Sequence, residues 1–142
     1  MENLQVVTGE GVDTTIQTYV DLLAAFYAVQ NLPGLKFAIK VDENIATLEK
    51  ELEPLNTILN PTEEFLDFAD KIQKEAGNDP EKIKLLEDEN EALVSYRKEQ
   101  IATAREMLSD AKHISLKKIY YKELPKEITA SQIKALKPIL KN

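Results

Sequence analysis

The sequence has no cysteine, no tryptophan and a single histidine, His113. Without cysteine there can be no disulfide, no thiolate metal ligand and no thiol nucleophile. The chain also lacks one hallmark of small secreted domains. A di-metal carboxylate centre in a helical bundle needs Glu-x-x-His pairs facing inward, and His113 has no glutamate three residues before it. Neither a cofactor nor a metal is expected. No apolar run approaches the ~20 residues that span a bilayer. The opening Met1-Glu2-Asn3-Leu4-Gln5 has neither the basic nor the apolar region of a signal peptide. The expectation is a cytoplasmic protein with no membrane partner. Aromatic residues make up only 6%, so the predicted core is Leu, Ile and Val zipped between helices.

What is present fits one folded chain of ordinary domain size. The 43% hydrophobic content is too high for a disordered protein, and the 142 residues can bury a real core. Charge is polarised along the chain. Residues 112–142 carry eight lysines against two glutamates, a net +6, which leaves −13 for residues 1–111 out of a total of −7. An acidic body with a basic C-terminal end has two readings. Either the end folds back on the body, or it faces an acidic partner.

The pattern of apolar residues is helical over most of the length. Residues 1–12 show no helical period and are predicted to form a flexible or extended arm. Asp13 is the expected N-cap of a first helix in which Ile16, Val20, Leu23 and Tyr27 recur, with Leu22, Phe26 and Val29 widening the stripe. After the Pro33-Gly34 interruption, Ala38, Val41, Ile45, Leu48, Leu52, Leu55 and Leu59 alternate spacings of three and four, the coiled-coil-like seam of a lengthwise helix pair. Pro54 should kink that helix. Asn60-Pro61-Thr62-Glu63 predicts a new start capped by Asn60, Gly77 a left-handed stop, and Asp79-Pro80 another start. From there the helix is expected to run to about Ala111, with a loose apolar phase near Asn90 and Arg97.

Beyond residue 112 the period shortens. Ile114 and Leu116, then Ile119 and Tyr121 one step out of phase, read as a strand with a bulge. Thr129 to Gln132 is a capping box for a short final helix. The predicted fold is mainly α. It comprises a long antiparallel hairpin of residues 35–75 and 80–111, a buttressing helix at 13–30, and a small C-terminal strand plus short helix. As domains, this is an arm (1–12), a hairpin body (13–112) and a basic strand–helix element (113–142). A lone tail strand would leave backbone groups unpaired. It is expected to pair either with residues 3–8 or with a sheet in a neighbouring molecule.

Catalytic constellations are missing. Ser109, Asp110 and His113 are triad residue types in local order only, whereas a triad is assembled across a fold. Glu63, Glu64, Asp67 and Asp70 read as a solvated helix face. Gly9-Glu10-Gly11-Val12-Asp13-Thr14 lacks the third glycine and the Lys-Ser/Thr of phosphate-binding loops. The stretch with functional appeal is Lys117, Lys118, Tyr120, Tyr121 and Lys122. Lysines interleaved with tyrosines could meet a protein partner, or neutralise phosphates and stack on bases.

The run Leu124-Pro125-Lys126-Glu127-Ile128-Thr129-Ala130-Ser131-Gln132-Ile133-Lys134-Ala135-Leu136 follows an acidic helical body and a short strand. In that layout the chain resembles small acidic helical-hairpin proteins encoded among the virion genes of tailed bacteriophages, over roughly residues 20–140. The resemblance implies a structural or assembly role, in the host cytoplasm and the virion, and brings no catalytic residues with it. The expectation is therefore a non-enzymatic virion, scaffold or adaptor protein that binds a protein partner or itself. It would take no small-molecule substrate. A nucleic-acid-associated regulator using the basic end is the second reading.

Overall fold

The computed structural model describes residues 11–142. In chain order the elements are β1 (Gly11–Thr15), α1 (Ile16–Val29), α2 (Leu35–Glu51), α3 (Glu53–Leu59), α4 (Glu63–Glu75), α5 (Pro80–Glu89), α6 (Glu91–Leu108), β2 (Ala111–Ser115), β3 (Ile119–Tyr120), α7 (Ala130–Ala135) and β4 (Leu140–Lys141). The fold is mainly α, with a helical hairpin, an N-terminal helix and a small C-terminal strand-and-helix element. No helix among the described residues is long and apolar enough to cross a membrane.

The chain divides into two compact units, Met1–Glu53 with Leu108–Asn142, and Pro54–Met107. The second is thus an insertion between the two halves of the first. The expected boundaries at residues 12 and 112 fall inside β1 and β2 respectively.

Within the first unit, β1 and β2 pair antiparallel with Asp13 opposite His113. That pairing moves the start of α1. Asp13 is held in the strand, so Thr15 rather than Asp13 is the N-cap, and its hydroxyl accepts from Thr18 N at 3.3 Å. The tail strand therefore has a partner in its own chain, residues 11–15. The other candidate partner, residues 3–8, lies outside the described residues. The predicted single bulged strand is two strands. β3 leaves β2's sheet and pairs parallel with β4. The short connection through α7 is that of a small crossover unit, and α7 packs on α1.

The core of this unit is more aromatic than composition suggested. Tyr19, Phe26 and Phe37 are fully buried with Leu22, Leu48, Ile114 and Ile119. The α1 stripe is rotated from the predicted one, running through Ile16, Tyr19, Leu22, Phe26 and Val29, while Tyr27 is 41% exposed. On α2 the predicted Val41, Ile45 and Leu48 are buried, but the helix packs on α1 and β2, so residues 35–53 belong to this unit and the hairpin begins at residue 54 rather than at 35 as the spacing predicts.

The second unit is the hairpin proper. Pro54 has no N–H for the carbonyl four residues back, and α2 gives way to α3 at Leu52. Asn60 is not the cap of α4. Its N–H is spent on Asn56 O at 2.9 Å, which extends the last turn of α3, and Thr62 caps α4 by accepting from Phe65 N at 3.1 Å. Gly77 closes α4 at φ +57°, its N–H reaching Ile72 O at 3.0 Å. Asp79 caps α5 with Pro80 as first helical residue, as the sequence predicts.

The expected continuous helix to Ala111 is broken. Asn90 turns its side-chain amide onto Leu86 O at 2.8 Å and adopts φ −123°, ψ 38°, which separates α5 from α6. An Asn side chain competing for a backbone carbonyl is a known helix stop.

Candidate functional site

Residues 117–122 are fastened to α2 by two side chains. Asn44, 1% exposed, accepts from Lys117 N at 2.7 Å through Oδ1 and donates from Nδ2 to Lys117 O at 3.0 Å. Lys40 donates to Lys118 O at 2.9 Å and to Glu123 Oε1 at 2.8 Å. Its ammonium also lies 4.8 Å from the centre of the Tyr120 ring. Glu123 further accepts from Tyr120 N at 2.9 Å. The Lys40 hydrogen bond holds the Glu123 carboxyl below its ordinary range, with burial opposing and the Tyr120 amide assisting.

These contacts sort the five residues singled out from the sequence. Tyr120 is half-buried between Lys40 and Lys122, whose ammonium is 5.8 Å from the ring centre. Lys118 donates to Pro138 O at 3.3 Å. Lys117, Tyr121 and Lys122 are exposed. The segment is therefore a fixed loop that displays two lysines and a tyrosine. Lys40 and Asn44 were not singled out from the sequence. Asn44 had a legible signal, a polar residue three after Val41 and four before Leu48 on the apolar face.

The hairpin carries the larger feature. Although its apolar residues recur at helical spacing, only Leu55, Phe68, Ala76 and Ala104 are buried in residues 54–107. α5 buries none, while Leu66 is 52% exposed, Leu85 62% and Tyr96 52%. Between α4 and the α5–α6 arm lies an open groove of about 310 Å³, lined by Phe65, Phe68, Ala69, Ile72 and Val94 together with Glu87, Arg97 and Lys98. Its walls are braced. The Phe65 and Phe68 rings are tilted at 58° with centres 6.0 Å apart, and the Arg97 guanidinium lies 5.8 Å from the Phe65 ring. Arg97 also donates to Leu59 O at 2.6 Å, and Gln100 to Asn60 O at 3.3 Å, which satisfies carbonyls at the end of α3.

No known family model, curated protein or solved structure matches this chain.

The other sequence candidates resolve simply. Glu63, Glu64, Asp67 and Asp70 are all exposed. His113 Nδ1 sits 3.1 Å from Asp13 Oδ1, its cross-strand neighbour. Gly11 to Thr14 lie in β1, while Gly9 and Glu10 fall outside the described residues. Among the described residues no three His, Asp or Glu side chains are grouped to hold a metal ion.

Proposed function

We propose that this chain is a non-enzymatic assembly protein, a virion, scaffold or adaptor component that works through protein contacts. The observation that carries the reading is the hairpin. Residues 54–107 hold braced apolar residues along the groove, yet only Leu55, Phe68, Ala76 and Ala104 in that stretch are buried. Contiguous apolar surface with a polar rim marks an interaction site in a folded protein.

The exposed Lys117, Tyr121 and Lys122 favour a second reading, contact with nucleic acid. Titrating the full chain with a generic DNA duplex over a range of salt separates the two. Phosphate binding gives a log–log slope of about −0.9 per contact. The assembly reading expects no such steep dependence, together with self- or partner association that is lost on Ala69→Glu, an exposed groove position. Duplex binding with a steep slope, unchanged by Ala69→Glu, would overturn it.

A further inference from the structure

The groove between α4 and the α5–α6 arm has polarity along its length. α4 runs against the successive helices α5 and α6, and Phe65 meets Arg97 at one end, which sets Glu87 of α5, ten residues before Arg97, towards the Ile72 end. Lys98 is therefore at the Phe65 end and Glu87 at the Ile72 end. Both are exposed, and neither has an ion-pair partner among the described residues. Val94 lies between them in sequence and lines the groove.

Resting on the reading of this chain as an assembly protein, we infer that the occupant of the groove is the same groove of a second copy. A two-fold axis through the middle of the groove lays one copy's Lys98 end over the other's Glu87 end, in two equivalent places. The apolar linings then meet between them. Such an isologous contact is self-complementary by construction, and it turns two hairpins into a four-helix bundle, the usual way a two-helix layer covers its stripe.

Arg97 and Lys98 sit together at the Phe65 end, so a basic segment of another copy would meet like charge there, whereas a second copy of the groove brings its Glu87 to that end.

Sedimentation equilibrium of the full chain tests the inference with Glu87→Lys, Lys98→Glu, the double reversal, and Ala69→Arg, an exposed groove position. Wild type should dimerise. Each single reversal should weaken the dimer roughly tenfold, since it breaks two symmetric exposed pairs and opposes like charges. The double reversal should restore it, and Ala69→Arg should abolish it. Thermal melts check that each variant folds. A chain that stays monomeric at every concentration overturns the inference, and so does a dimer insensitive to both reversals and to Ala69→Arg. Neither outcome touches the assembly reading, whose own failure is steep salt-dependent duplex binding.

Discussion

Asn44 binds both backbone groups of Lys117, accepting from its N–H at 2.7 Å and donating to its carbonyl at 3.0 Å. One buried amide on α2 thereby fixes where the lysine–tyrosine loop leaves the core. Asn44→Ala leaves two backbone groups without their partner, each costing about 1–3 kcal/mol where water cannot replace it. Asn44→Asp keeps the acceptor but sets a carboxylate against a carbonyl. Both variants should unfold at lower denaturant than wild type, with the slope unchanged. An unshifted midpoint would mean the loop is held by other contacts.

Tyr19 is the corresponding tie on α1. Its hydroxyl donates to Lys112 O at 2.7 Å and accepts from Ile114 N at 3.1 Å, so a fully buried side chain fastens β2 to the helix. Burial accordingly pushes its phenol pKa up. Tyr19→Phe preserves the ring and removes both bonds. The expected loss is about 1–3 kcal/mol in urea unfolding, against about 3–5 kcal/mol for Phe26→Ala, which empties the core.

Glu123 makes the stability of the loop pH-dependent. The folded protein holds this carboxyl ionised at a lower pH than the unfolded chain does, through the Lys40 hydrogen bond. Its contribution is complete above the ordinary glutamate value of about 4.3 and disappears as pH falls through the depressed folded value. Glu123→Gln should be less stable than wild type at neutral pH, and the two curves should converge in acid. A gap that stays constant with pH would assign the effect to packing.

The seam on α2 separates wet from dry positions. Leu52→Ala, at 3% exposure, should cost about 2–5 kcal/mol. The exposed neighbour Lys50 should tolerate alanine within about 0.5 kcal/mol. Equal effects would mean the seam is misassigned.

How much of this was legible follows from the range of each signal. The helix stop at Gly77, the start at Asp79-Pro80 and the capping box at Thr129 are readable because a few adjacent residues determine them. The caps at Thr15 and Thr62 were missed by two residues. In each case the more polar-looking candidate, Asp13 or Asn60, was engaged by a neighbour: a strand pairing about a hundred residues away, and the last turn of α3. The break at Asn90 showed only as a loosened apolar phase. Of the candidate site, the exposed Lys117 and Lys122 can be read directly, whereas Tyr121, expected to share a strand face with Ile119, lies exposed in a 3-10 turn while Ile119 is buried. The tethering of this loop by Lys40 and Asn44 cannot be read, because it joins segments more than seventy residues apart. The apolar stripe of residues 54–107 was likewise visible, but its lack of cover is a property of packing.

The central claim is that the groove of the hairpin takes the same groove of a second copy. Amide hydrogen exchange of the unmodified full chain, compared between dilute and concentrated solution, tests it most directly, because protection reports locally which backbone becomes buried. The account predicts that concentration slows exchange in α4 and α6, around Phe65 to Ile72 and Val94 to Lys98, and leaves residues 117–122 unchanged. Protection gained at 117–122 instead, or nowhere in residues 54–107, would contradict it.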